Sequence, residues 1–257
     1  MELASIFTEH YIVGFLLLFF RFAALFISTP IFSHENIPAQ IKAGMAFFFT
    51  IIFYPSMPEI TMAINLPNLL MAIVSEFFFG LAIGTVLLLA YNVITFAGGQ
   101  ISFMMGFSMA SAIDPQSGVS MPIISQFLSL MGLMVLLESD LHHWLLIFIE
   151  HSLTAVPLGG FLMQENLFNY IIKASSNMFI VGFMIAFPIT ALSWLADIIF
   201  GMLMKTMPQF NLLVIGFPIK IMVSFAVLIA TFTSTMLILK VQIQDAFNAL
   251  EMFFSIQ

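Results

Sequence analysis

Hydrophobic positions along the chain gather into long runs, at about 11–32, 41–57, 69–97, 123–149, 171–204 and 212–239. A helix needs ~20 apolar residues to cross ~30 Å of hydrocarbon, so the runs predict six helices with both termini on one side. Polar positions interrupt them in a few telling places. Arg21 stands at the centre of the first run, Glu76 lies in the third, Asp197 in the fifth and Lys220 in the sixth. A mid-bilayer arginine costs at least ~2.5 kcal/mol on insertion scales, so such a group must face protein, water or a headgroup. The second run is short, ending at Pro55 and Pro58, and reads as re-entrant or as lying beside other subunits. Pro188 is expected to break the fifth run, and the segment GFPIK at 216–220, with Gly216 and Pro218, the sixth. Lys205 and Pro208 mark the end of the fifth run. Gly80 and Gly84 form a GxxxG pair, which lets a second backbone come close. After Lys240 the tail spaces Phe247, Leu250 and Phe254 at three and four residues, as a short amphipathic helix would.

One stretch between the runs differs in kind. Residues 98–122, GGQISFMMGFSMASAIDPQSGVSMP, hold four glycines, two prolines and five serines, with methionine at 104, 105, 109 and 121. Connections longer than about 12–15 residues are uncommon in compact domains and are usually functional or disordered. Methionine is flexible and polarisable, so it fills an irregular gap and refills it when the gap changes shape. A seal that opens and closes wants that property. The plain alternative is an inter-helix loop.

Composition bears the pattern out. The chain is 61% hydrophobic and 7% charged, with 32 Phe and 20 Met and a mean hydropathy of +1.12. A soluble globule carries about 25% charged residues, so this surface is made for a membrane or an apolar assembly. The net charge of −7 comes without a basic patch, which argues against nucleic acid. Without cysteine there are no disulfides or thiolate metal sites. The N-terminal MELASIFTEHY has no basic region and reads as retained, not as a cleaved signal. Six scattered basic residues assign no topology.

Candidate chemistry is sparse. Ser108 sits in an incomplete nucleophile motif with no histidine placed beside it, so an intramembrane serine protease is a remote alternative. His142, His143, Glu150 and His151 lack metal-ligand spacing and read as a solvated helix end. No catalytic residue, cofactor or metal is expected. Arg21, Glu76, Asp197 and Lys205 are the ion-pair candidates, preferred as inter-subunit pairs in a dry interface over a proton path. A stand-alone secondary transporter or channel is the main alternative, although no internal repeat is visible.

Four stretches together carry a resemblance: RFAALFISTPIFSHENIPAQIKAG at 21–44, FFFGLAIG at 77–84, AGGQISFMMGFSMASAIDPQSG at 97–118 and MLMKTMPQFNLLVIGFPIKI at 202–221. In order and spacing they resemble the FliR family of flagellar export-gate proteins, whose injectisome counterpart is the T subunit of the type III export apparatus. The resemblance implies an all-α fold of broken and kinked helices. It implies a FliP-like part over about 1–170, carrying the loop 105–121, followed by a FliQ-like part over about 171–257. It further implies one copy of the chain in a helical assembly with FliP and FliQ, beside other export-apparatus membrane proteins and lipid. That assembly would lie in the bacterial inner membrane at the flagellar basal body and pass unfolded flagellar proteins. By position the loop would be the pore plug, using Met105, Gly106, Phe107, Ser108, Met109, Ile113 and Met121, with Asp114 and Pro115 as its turn. Alanine at 110 and 112 shifts the apolar weight of such a plug toward methionine.

Overall fold

Apolar runs with no water to satisfy their backbone close their hydrogen bonds internally, and the result here is helices throughout. The computed structural model describes residues 2–33, 37–58, 65–107, 122–162, 165–207 and 212–254, and every regular element among them is helical. In chain order these are α1 (Glu2–Ser28), α2 (Ala39–Phe53), α3 (Leu66–Met105), α4 (Ile123–Glu138), α5 (Leu141–Ala155), α6 (Glu165–Thr206) and α7 (Phe217–Phe253). A 3₁₀ turn, Tyr54–Ser56, closes α2, and a π-helical turn, Leu212–Gly216, opens onto α7.

Six apolar runs do not become six spans. Among the described residues four helices are long and apolar enough to cross a membrane: His10–Ser28, Leu66–Met105, Glu165–Thr206 and Val214–Phe253. A fifth span follows if α4 and α5, bent by 61° at their break, count as one. At 15 residues α2 reaches only about 22 Å at 1.5 Å per residue, short of the hydrocarbon thickness.

The breaks also fall elsewhere than proline predicts. Helix α6 runs its 42 residues straight through Pro188, although a proline there deprives the carbonyl of Met184 of its donor. The interruption expected in the sixth run is real but sits before Phe217. There the backbone widens into the π turn, and Pro218 occupies the second position of α7, where a missing N–H costs little. The break that was not foreseen is at Asp140, whose φ of +55° turns the chain between α4 and α5. The polar residues from Glu138 to Trp144 thus mark a corner between the two helices. Likewise α3 continues eight residues beyond 97, absorbing Gly98 and Gly99 into helix. The tail is the continuation of α7, with Phe247, Leu250 and Phe254 all buried as their spacing demands.

The chain divides into two compact units, each built from separated segments. The first comprises Met1–Ala90, Leu137–Ala174 and Ile243–Gln257. Its buried residues include Leu17, Leu18, Phe22 and Leu25 of α1, Phe79 and Ile83 of α3, Phe148 of α5 and Leu250 of α7. The second comprises Tyr91–Leu136 and Ser175–Gln242, with Val93 and Ala97 packed on Ile185. Much of α6 and α7 stays apolar and uncovered, including Phe179, Ile180, Met184, Met222 and Ile229. Faces of this kind fit lipid or neighbouring subunits.

Candidate functional site

Two clusters of polar and conformationally special residues stand out, one in each unit. In the first unit Arg21 is fully buried, and all five of its N–H donors have an acceptor. Nε donates to Glu76 Oε2 at 2.5 Å and Nη2 to Glu76 Oε1 at 3.1 Å, a two-pronged pairing that fits the guanidinium fork. Nη1 reaches the hydroxyl and carbonyl of Ser152 at 3.3 and 3.4 Å, and Nη2 also reaches the Val156 carbonyl at 3.2 Å. Phe79 lies 4.3 Å from the guanidinium carbon, a cation–π contact in a dry setting. Glu76 Oε1 also accepts the Gly159 N–H at 2.6 Å. The node therefore ties α1, α3, α5 and the turn after α5 through one buried pair.

Beside it, Gly80 and Gly84 are where α3 meets α1. A Cβ on Gly80 would stand 2.5 Å from the Arg21 carbonyl oxygen, and one on Gly84 would stand 2.5 Å from Ser28 Cβ.

The second cluster sits where the polar stretch leaves α3. Gly106 has φ +88°, donates its N–H to the Phe103 carbonyl at 3.1 Å, and lets the Phe107 N–H return to the Ser102 carbonyl at 3.1 Å. That pair of bonds is a Schellman cap, the ordinary way to end a helix on glycine. Met105, just before it, is fully buried. The other end of the stretch is fastened to the same helix. The Ile124 N–H donates to Ser102 Oγ at 3.2 Å, and Ser125 Oγ donates to the Thr95 carbonyl at 2.7 Å. Tyr91 adds a hydroxyl bond to the Ser129 carbonyl at 2.5 Å. Gly98 makes this close approach possible, since a Cβ there would lie 2.5 Å from Ser125 Cα. The end of α3 and the start of α4 are therefore held side by side.

Helix α7 bears on this end of α3. The Phe217 ring would be 3.0 Å from a Cβ on Gly106, and the Phe225 ring meets Phe107 edge-on at 6.4 Å. Three residues after Phe217, Lys220 donates to both carboxylate oxygens of Asp197 on α6, at 2.8 and 2.9 Å. Replacing Gly106 by alanine is expected to cost about 1–2 kcal/mol from the left-handed backbone alone. The ring of Phe217 adds to that, and the thermal midpoint of the purified assembly should fall.

The structure thus pairs the candidate ions within the chain: Arg21 with Glu76, and Asp197 with Lys220 in place of Lys205. Lys205 is exposed in the last turn of α6. Gly216 is buried at the end of the π turn. Ser108, Met109, Ile113, Asp114, Pro115, Met121 and Pro208 lie outside the described residues. Ser152, Phe79 and Gly159 were not singled out by sequence; small or apolar residues give no local sign of a distant guanidinium. At the α4–α5 corner, Asp140, His142 and His143 each place one ligand atom within 4.8 Å of the others, without Glu150 or His151. The Asp140 carboxylate there already meets His143 Nδ1 at 3.2 Å.

Comparison with known proteins decides what kind of chain this is. The family described as "Bacterial export proteins, family 1" matches residues 12–246. Flagellar biosynthetic protein FliR of Bacillus subtilis is 36% identical over 220 residues, 84% of this chain and 85% of its own length. The chain belongs to the FliR family. FliR of Escherichia coli K12 is 30% identical, covering 82% of this chain and 80% of its own length. FliR of Aquifex aeolicus is 21% identical, but over 96% of this chain and 95% of its own. As a FliR-family member the chain is a component of flagellar export and not an enzyme. Its apolar helices and its family place it in the bacterial inner membrane, working with other parts of the export apparatus.

Proposed function

We propose that this chain is a core subunit of the flagellar type III export gate. In that reading one copy assembles with FliP and FliQ subunits in the basal body, and the assembly encloses the pore through which unfolded flagellar proteins leave. The first part of the chain, to about residue 170, packs as a FliP-like element and the remainder as a FliQ-like element. Residues 105–121 form the plug.

The observation that supports the plug most directly is the tethering of the loop. The end of α3 is capped on Gly106 and the start of α4 is bonded to Ser102, so the two described segments that flank residues 108–121 are fixed to each other. A loop closed at its base loses less entropy on entering a confined space than a free strand would. Met105, Met109 and Met121 with Phe107 suit a steric, water-excluding seal, and sealing of that kind needs no catalytic group. The uncovered apolar faces of α6 and α7 support the assembly, because a chain so exposed needs neighbours or lipid on those sides.

Deleting residues 106–117 tests the plug. The gate should assemble in normal amounts and become leaky to small ions; an assembled gate that stays sealed would refute the assignment. Native mass spectrometry of the gently extracted complex tests the partners. One copy of this chain with several copies of two other small apolar proteins is expected, and a stable, active monomer would overturn the gate reading.

A further inference from the structure

We propose that the Asp197–Lys220 ion pair is the clamp that holds the plug root in its sealed position, an inference that rests on the plug reading above. The N-terminal end of α7 is weak by construction. It is preceded by a π-helical turn, Leu212–Gly216, whose wider winding is poorer than an α-turn, and π turns recur at functional sites. This segment nevertheless carries Phe217 and Phe225, the two rings that bear on Gly106 and Phe107. A soft support beneath the root of a seal needs an external fastening.

Lys220 supplies one. It lies between the two rings in sequence, and its ammonium takes both oxygens of a carboxylate on the neighbouring helix. The lysine side chain is only 10% exposed, whereas that of Asp197 is 56% exposed. An ammonium so enclosed in an apolar helix requires a partner, so the pair forms wherever the carboxylate is in reach. The pair therefore sets where the first turns of α7 sit against α6. Through Phe217 and Phe225 it also sets where the loop root rests. The carboxylate is the accessible half, so the fastening can be released from its open side without unpacking α7.

The test uses the full gate in cells whose own copy of this chain is replaced by variants. Three are compared with the parent: Asp197→Asn, Lys220→Met, and the two together. Assembly is read by native gel, and sealing by the rate at which an imposed potassium gradient collapses. The double variant leaves no enclosed charge unpaired, so it should assemble even where a single one does not. It should leak at least roughly fivefold faster than the parent, as loss of one modest interaction shifts a two-state balance. A double variant that assembles and seals like the parent overturns the clamp, and so does loss of assembly in all three. The deletion of residues 106–117, run in parallel, separates the two readings. If the deletion leaks and the paired variants do not, the plug stands and the clamp falls. If the deletion itself seals, the plug reading fails and the clamp with it.

Discussion

Replacing Arg21 by alanine is expected to abolish accumulation of the folded chain. The substitution would leave Glu76 fully buried, with the Gly159 N–H as its remaining described partner, and would open a void against Phe79. Breaking one side of a buried ion pair costs about 3–5 kcal/mol, because the other charge is left without compensation. Total stability of a native domain is only about 5–15 kcal/mol. The same logic applies to Glu76→Ala, which strands a guanidinium instead. Arg21→Lys should also fail: an ammonium offers three donors from a point, and the node uses five in a planar fork. Removing both charges together, as Arg21→Met with Glu76→Leu, should recover much of the loss. The measurement is the amount of chain in membranes and the thermal midpoint of the purified assembly. Normal abundance of Arg21→Ala would show that the pair is dispensable for folding and redirect attention to a role in export.

Gly80→Ala should be nearly as damaging, for a different reason. The added methyl group would stand 2.5 Å from the Arg21 carbonyl oxygen and 3.0 Å from the Leu25 nitrogen, both backbone atoms that cannot rotate aside. Relief requires α1 and α3 to separate, which also pulls the guanidinium from Glu76. Overpacking usually costs about 1–3 kcal/mol, and a backbone-to-backbone clash coupled to the ion pair belongs at or above the upper end. Gly44 is the control, since nothing lies within 4 Å of a Cβ there. Alanine at 44, inside α2, should be neutral or stabilising by up to about 1 kcal/mol through helix propensity. Because Gly80 and Arg21 act on one contact, the double variant should lose less than the two single losses added together. Thermal midpoints of the parent and of the alanine variants at 80 and 44 check the first statement, and the amounts of the Arg21, Gly80 and double variants in membranes check the second. Equal midpoints for the alanine variants at 80 and 44 would contradict the close approach.

How much of this was legible beforehand depends on how far apart the interacting residues stand. The helices were legible, because long apolar runs impose backbone self-satisfaction locally. So was the burial of Phe247, Leu250 and Phe254, whose spacing places them on one face. The need for Arg21, Glu76 and Asp197 to be paired followed from the cost of charge in an apolar run. Their partners did not. Arg21 and Glu76 are 55 residues apart, and Asp197 takes Lys220, 23 residues on, while Lys205 eight residues away points outward to an exposed surface. Nearness in sequence is no guide once helices fold back on one another.

Punctuation residues misled in an instructive way. Proline at 188 reads as a break, yet α6 absorbs it, since a single lost hydrogen bond does not outweigh the packing along 42 residues. The break at Asp140 carries no proline or glycine at all; aspartate tolerates the left-handed region, and its bonds to Leu137, His143 and Trp144 are local. Gly98 reads as loop and serves instead as the flat place where α4 lies on α3. By itself, then, the sequence determined the helical class, the membrane setting, the family and the list of charges that must find partners. The tertiary structure decided which helices end where, which charge meets which, and that the end of α3 and the start of α4 are fastened to each other. Local hydrogen bonding and hydrophobicity are written residue by residue, whereas pairing across tens of residues depends on how the helices pack.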